Sequence, residues 1–287
     1  MLQAKTVLVT GASRGIGLLT VKTLARQGHR VYAGLRDING RNAEVLEQLQ
    51  RWACEGSYPL QTIELDVTDD DSVNRAVAEI EQQAPLDVLV NNAGIMPVGI
   101  TEAFTVEQLQ QCLEVNVLAV MRTSRAVLPA MRQRNRGLII SLSSTAGRLA
   151  IPCFGVYCAS KWALEALVES MHLELQPLGI ASVLVEPGGH ATDLIKSPPS
   201  PLDLQCASDY GSRGAMPAKI IALFEAMFAA GESITDARHV ADAVAQLVNT
   251  EPPYPVRTTV GSVMGVDQLN TVTAPLQDEL TAMLNAL

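Results

Sequence analysis

The chain has no apolar run long enough to span a membrane. It also lacks an excess of basic charge: 21 Lys and Arg stand against 30 Asp and Glu, a net charge of −9. That balance repels phosphate backbones and argues against nucleic acid as a partner. No CxxC pair occurs among the five cysteines, Cys54, Cys112, Cys153, Cys158 and Cys206. An odd count at such spacings gives neither a disulfide framework nor a zinc site, so no metal is expected. Buried thiols in a reducing cytosol are the default, and the expected location is cytoplasmic. The first residues enter a strand almost at once and show no signal-peptide pattern. There is no internal repeat, no low-complexity tract and no linker that would split the chain, so residues 1–287 are expected to form one domain. What the chain does have is 48% hydrophobic residues, ample for a sizeable core.

Strand and helix signals alternate from Thr6 to Pro187. Thr6–Thr10 is a β-branched run read as a buried strand, and Gly11-Ala12-Ser13-Arg14-Gly15-Ile16-Gly17 follows it directly. An amphipathic helix then runs through Leu18, Val21 and Leu24 to Gly28. Strand, glycine turn and helix is the context that a phosphate-binding loop requires. Gly11 permits the tight turn, while Gly15 and Gly17 let backbone amides and the positive end of the helix dipole approach a pyrophosphate. A glycine turn without a ligand is the plainer alternative.

The second strand, Arg30–Leu35, ends at Arg36-Asp37. In a doubly wound fold this position meets the adenosine ribose. An acid there accepts from the 2′-hydroxyl of NAD, whereas an arginine pairs with the 2′-phosphate of NADP. Arg36, with Arg14 as a second cation, favours NADP(H) over NAD(H). Leu60–Val67 reads as the third strand, with Asp66-Val67 placed to meet an adenine ring. Thr68 or Asp69 caps the next helix. After the fourth strand, Leu86–Val90, comes Asn91-Asn92-Ala93-Gly94, where Ala93 and Gly94 are small enough for a cofactor to lie against the main chain.

Thr105 and Gln108 form a capping box for one long helix reaching about Gln133, with polar Asn116 in its middle. If that face is buried, Asn116 needs partners. The fifth strand, Gly137–Leu142, leads into Ser143-Ser144. Tyr157 and Lys161 then lie four apart on one helix face. A positive charge there is expected to pull the phenol pKa down towards working pH. A sixth strand, Ile180–Val185, leads into Glu186-Pro187-Gly188. From His190 to about Gly231 the pattern gives way to a proline-rich insertion and an apolar stretch, which reads as a lid. Asp236 caps a further helix. Pro255–Val263 reads as a last strand and Pro275–Leu287 as a terminal helix. The fold class is α/β: a doubly wound, Rossmann-like parallel sheet with helices on both faces, its ligand-facing motifs all following strands on one edge.

Thr10-Gly11-xxx-Gly15-x-Gly17, Asn91-Asn92-Ala93-Gly94, Asn116, the serine pair, Tyr157-xxx-Lys161 and Pro187-Gly188-xxx-Thr192 together resemble the short-chain dehydrogenase/reductase family, over residues 4 to 195. The resemblance implies an NAD(P)-dependent oxidoreductase acting on an alcohol and its ketone or aldehyde. Tyr157 is then the acid/base, and Lys161 holds the nicotinamide ribose. Ser144, thirteen before the tyrosine, bonds the substrate oxygen, with Ser143 as second choice. Asn116 holds a relay water, and Thr192 binds the carboxamide. Val31–Asp37 and Val156–Lys161 resemble the hydroxysteroid and retinol dehydrogenase branch. Met96, Leu149, Phe154 and His190, with the lid, are expected to line a pocket for a medium-to-large apolar carbonyl or alcohol. His190 replaces the aliphatic residue usual in the family. The resemblance also implies a homodimer or homotetramer built on the Asn116 and Tyr157 helices. The rival readings are a reductase of acyl-thioester or polyketide carbonyls, and a dinucleotide sensor without turnover.

Overall fold

A computed structural model describes residues 3–196, 198–231 and 235–284. Seven parallel strands form one sheet: β1 (Thr6–Val9), β2 (Arg30–Leu35), β3 (Leu60–Glu64), β4 (Val88–Asn91), β5 (Gly137–Leu142), β6 (Ile180–Pro187) and β7 (Arg257–Val260). Their spatial order is β3-β2-β1-β4-β5-β6-β7. The chain winds outward from β1 to β3, then returns to β4 on the other side of β1. That reversal opens a crevice at the carboxyl ends of β1 and β4, where such sheets bind ligands.

The strands alternate side chains between two apolar layers, as their period of two dictates. Val7, Val9, Val31, Val88 and Ile140 face one cluster, filled by α1 (Gly15–Arg26), α2 (Ala43–Gly56) and α9 (Arg238–Asn249). Leu8, Tyr32, Leu89 and Ile139 face the other, filled by α3 (Asp70–Gln83), α5 (Ala119–Arg134) and α6 (Gly155–Leu175). Buried on both faces, these strands are continuous apolar runs, as parallel strands under helices must be.

Helix starts follow local chemistry. Asp69 Oδ1 accepts from Ser72 N at 3.0 Å at the head of α3. Thr105 and Gln108 exchange both capping-box bonds at the head of α4 (Val106–Leu113). The helix expected to continue from there is interrupted: a π turn occupies Glu114–Leu118 before α5 begins. β3 stops at Glu64, short of the expected Val67, because the chain leaves the ladder after Leu65 N bonds Leu35 O. Asp66 N then bonds Ser72 Oγ at 3.0 Å.

The expected lid comprises a loop, the short helix α7 (Leu204–Asp209) and α8 (Met216–Ala229), with Ser197 outside the described residues. The terminal helix α10 runs Val266–Leu284, so Pro275 lies inside it and does not start it. The expected extension over 285–287 is likewise outside the described residues. Among the described residues no helix is long and apolar enough to cross a membrane, and no group of side chains could hold a metal.

Candidate active site

The glycine turn is built around contacts that exclude side chains. A Cβ on Gly17 would stand 2.4 Å from Asn92 Nδ2 and 2.6 Å from Gly11 O. Gly15 has φ +54°, and the Thr192 side chain sits over it. Asn92 ties β4 to β1, its Nδ2 donating to Thr10 O at 2.9 Å and Gly11 O at 3.1 Å. Thr10 Oγ1 in turn accepts from the Asn92 and Ala93 amides. The turn is thereby fixed from behind, and Gly11 has no room for a larger residue against Ala93.

α1 carries no side-chain cap and no acidic residue in its first turn, unlike α3 and α4. Its first amides and dipole end therefore keep their capacity for an anion. Ser13, exposed Arg14 and Ile16 complete the turn. At the end of β2, Asp37 bends back (φ +52°) and accepts from Arg41 N at 3.1 Å and Arg41 Nε at 3.4 Å. Those bonds lower its pKa and occupy the one acid there. Arg36 Nη1 lies 3.8 Å from Asp66 Oδ2, and the guanidinium is half exposed. Burial works against the charged form of Asp66, but the Thr68 amide and hydroxyl and the charge of Arg36 hold its carboxyl below the usual range. Val67, buried beside it, has its carbonyl held by Arg122 Nη1 at 2.8 Å. These residues fit a dinucleotide, with an anion cradle at one end and a guanidinium at the ribose position.

Asn116 is buried within the π turn. Its Oδ1 accepts from Ile95 N, while its Nδ2 donates to Ile95 O and Ser160 Oγ, each at 2.9 Å. Ser160 Oγ donates to Tyr157 O at 2.7 Å. One side chain thus fastens the Gly94 loop to the helix that carries Tyr157 and Lys161. A Cβ on Gly94 would lie 3.2 Å from Asn116 Oδ1 and 3.9 Å from Lys161 Nζ, so the three converge. Lys161 Nζ donates to Leu142 O at 2.7 Å.

The Ser144 hydroxyl lies near enough to the Tyr157 phenol to favour its ionised form and accepts from Ala146 N at 3.1 Å. Ser143 points to Glu165 instead. The expected lowering of the Tyr157 pKa is absent here: burial pushes the phenol up to about 12, against the opposing influence of Ser144. The Lys161 ammonium stands 5.8 Å from the phenol ring centroid, and burial lowers its own pKa to about 8. Desolvation disfavours both charged forms and is the largest cause of each shift.

Tyr157 belongs to an apolar cluster with Val98, Phe154 and Cys158, against which Met96, Ile220 and Phe224 pack. Phe154 and Phe224 meet edge to face, 6.3 Å apart. α8 therefore packs against the cluster that holds Tyr157. Leu149 is half buried and not part of this cluster. His190 is buried, with Nδ1 3.1 Å from Gly188 O, and its ionisable neighbours are Asp236 and His239 at the start of α9. A Cβ on Gly188 would meet Ser262 O, so the Pro187-Gly188 turn is pressed against the segment after β7. A cavity of about 560 Å³ lies at the opposite edge of the sheet among Lys5, Arg136 and Tyr254, and shares no residue with this site.

Sequence reasoning missed Ser160 as the partner of Asn116; a buried helical asparagine demands one, and Ser160 lies inside the Tyr157–Lys161 motif. It also missed the buried charges Glu165, Glu186 and Arg257, which no local pattern marks.

The short chain dehydrogenase family model matches residues 5–201. The chain is 40% identical to 17-beta-hydroxysteroid dehydrogenase type 1 of Homo sapiens over 185 residues, 63% of this chain and 56% of that protein. A short-chain dehydrogenase from Streptomyces avermitilis superposes with a TM-score of 0.76 at 29% identity, covering 99% of this chain and 97% of that one. A variant of the actinorhodin polyketide ketoreductase solved with NADPH gives 0.73 at 27% identity, covering 92% and 98%. The glycine turn, the stitched asparagine and the Ser144–Tyr157 pair thus sit in a matching sequence and a matching fold, and the chain belongs to the short-chain dehydrogenase/reductase family, as an NAD(P)-dependent oxidoreductase with its similarity towards the hydroxysteroid branch.

Proposed function

We propose that the protein interconverts an alcohol and a ketone or aldehyde on a medium-to-large apolar substrate, steroid-, retinoid- or lipid-like, using NADP(H). The observation that carries this reading is Tyr157, with Ser144 beside it, buried in an apolar cluster against which Ile220 and Phe224 of α8 pack. When bound, the reduced nicotinamide supplies the hydride.

The protein's own part is to hold and move a proton. Tyr157 Oη, protonated at every working pH given its pKa of about 12, donates to the substrate oxygen. Ser144 Oγ holds that oxygen in line. Lys161 Nζ supplies positive charge beside the phenol as the proton leaves, and its pKa of about 8 suits it to return one. Arg36 pairs with the 2′-phosphate, since Asp37 is spent on Arg41. Gly11, Gly15 and Gly17 give the pyrophosphate its amides. Pro187, Gly188 and Thr192 border the nicotinamide.

The similarity to a solved polyketide ketoreductase supports a second reading, reduction of acyl-thioester carbonyls. Residues 198–209 contain no Lys or Arg to meet a carrier phosphate, which favours the first. The assembly fits a homodimer or homotetramer, because the π turn, α5 and α6 expose Leu118, Met121 and Trp162. The free cysteines fit a reducing cytosol. NADPH oxidation measured over ketones, aldehydes and thioesters of rising size tests the proposal. Activity confined to small polar carbonyls contradicts it, and activity on thioesters alone selects the second reading.

A further inference from the structure

A buried charged cluster lies at the carboxyl end of β6, beside the groove. Glu186 is fully buried, and the side chains of Glu165 and Arg257 are 4% and 7% exposed. Arg257 Nε stands 2.9 Å from Glu165 Oε2 and 3.5 Å from Glu186 Oε1. Its Nη2 stands 2.6 Å from Glu169 Oε2. Asn270 Nδ2, on α10, donates to Glu186 Oε2 at 2.5 Å. Arg148, from the loop after β5, bonds Asn270 Oδ1 and Thr273 Oγ1 and places its charge near both Glu165 and Glu186.

Buried ion clusters contribute little stability, because desolvation offsets their attraction. The placement of this one is informative. Glu186 immediately precedes Pro187-Gly188. Glu165 lies one helical turn beyond Lys161, with Ser143, the neighbour of Ser144, against it.

We propose that Glu165, Glu186 and Arg257 form a positioning unit, with one proton shared between the two carboxyls, that sets Lys161 and the Pro187-Gly188 turn in one register against the nicotinamide half of the cofactor. The proposal rests on the NADP(H) reading above.

The pairing geometry supports the shared proton. Glu165 and Glu169 on α6 and Glu186 on β6 face Arg257 on β7 and Arg148, with Lys161 on α6 also placing its charge near Glu165, while α10 contributes neutral Asn270. Arg257 gives Nε to Glu165 at 2.9 Å and Nη2 to Glu169 at 2.6 Å, which leaves buried Glu186 its longest contact, 3.5 Å, and neutral Asn270, so one of the two buried carboxyls is under-paired. Burial and the charge of Glu165 push Glu186 up to about 7, and burial raises Glu165 as well. The stabilisation from a raised carboxyl is complete at low pH and is lost as pH rises through that value. Above neutrality two buried carboxylates repel each other behind the turn.

Glu186→Gln imitates the protonated acid at every pH, and Glu165→Gln does so from the other side, so either variant carries the test. NADPH affinity, from cofactor fluorescence, and 2′,5′-ADP affinity, from calorimetry, are measured on the full chain from pH 6 to 9. Across that range, wild type should lose about tenfold more NADPH affinity than either Gln variant, the scale of a typical coupling between two bound species. The affinity for 2′,5′-ADP, which lacks the nicotinamide half, should match in all three proteins at each pH. NADPH affinities that run parallel in wild type and both variants overturn the proposal. So does 2′,5′-ADP following NADPH, which marks a diffuse structural effect. Tyr157→Phe turnover tests the underlying reading separately, because it bears on proton delivery and leaves these affinities alone.

Discussion

Asn116 and Ile95 exchange two hydrogen bonds, Oδ1 accepting from the Ile95 amide and Nδ2 donating to the Ile95 carbonyl, both at 2.9 Å. A helix side chain here takes the place of a neighbouring strand. It satisfies a backbone pair just beyond β4 and fixes the loop that carries Ala93 and Gly94.

Replacing Asn116 with alanine leaves Ile95 N–H and C=O without these partners in a part-buried setting and removes the donor to Ser160. The expected cost is about 2–3 kcal/mol of stability, the penalty for burying unmade hydrogen bonds. Urea unfolding with an unchanged m-value checks it. A loss below ~0.5 kcal/mol would show that water replaces the asparagine without cost.

Much of the frame was legible because local chemistry dictated it. The β-branched run before Gly11, the Thr105–Gln108 box and the Tyr157–Lys161 spacing each carry their structural reason within a few residues. The π turn was not legible, since Leu109, Leu113, Val117 and Val120 keep a helical apolar pattern across the extra residue. Nor was the low basicity of Lys161. Its burial is set by the loop around Gly94 and by Leu142, far apart in sequence, and the spacing to Tyr157 says nothing of solvent. Glu165, Glu186 and Arg257 read singly as ordinary surface charges; only the β6–β7 pairing and α10 bring them together and bury them.

Arg36→Asp should weaken NADPH at least tenfold relative to NADH, because the guanidinium is placed for a 2′-phosphate and Asp37 is already committed to Arg41. Dissociation constants for both cofactors check this. Equal weakening of the two would show that Arg36 only shapes the loop.

Gly17→Ala places a methyl group 2.4 Å from Asn92 Nδ2 and 2.6 Å from Gly11 O. The turn must open, so cofactor affinity should fall more than tenfold, with a loss of about 1–3 kcal/mol in stability from overpacking. Calorimetric titration with NADPH and thermal unfolding measure the two effects. Unchanged affinity would mean that the glycine turn is not where the pyrophosphate lies.

Phe224→Ala removes the aromatic edge packed on Phe154 in the apolar cluster around Tyr157. KM for the largest apolar carbonyl turned over should rise roughly tenfold, equivalent to ~1.4 kcal/mol, with NADPH affinity intact. A fall in NADPH affinity without a change in KM would place α8 over the cofactor and not over the substrate.

Lys161 also makes a pH prediction for the cofactor-free protein. Burial lowers its pKa from 10.5 to about 8, so between those values the unfolded chain binds more protons than the folded one. Stability conferred relative to Lys161→Met should therefore rise as pH goes from 8 to 10.5. Melting temperatures of the two proteins across that window check the sign. A difference that shrinks with rising pH would mean the ammonium is favoured by folding.

The central claim is that the Tyr157 hydroxyl delivers the proton. NADPH oxidation by Tyr157→Phe, with NADPH binding measured on the same sample, tests it most directly. The account predicts bound cofactor with turnover reduced by about 10²–10⁴-fold, the contribution of a positioned general acid. Turnover near the wild-type rate, with cofactor bound, would contradict it.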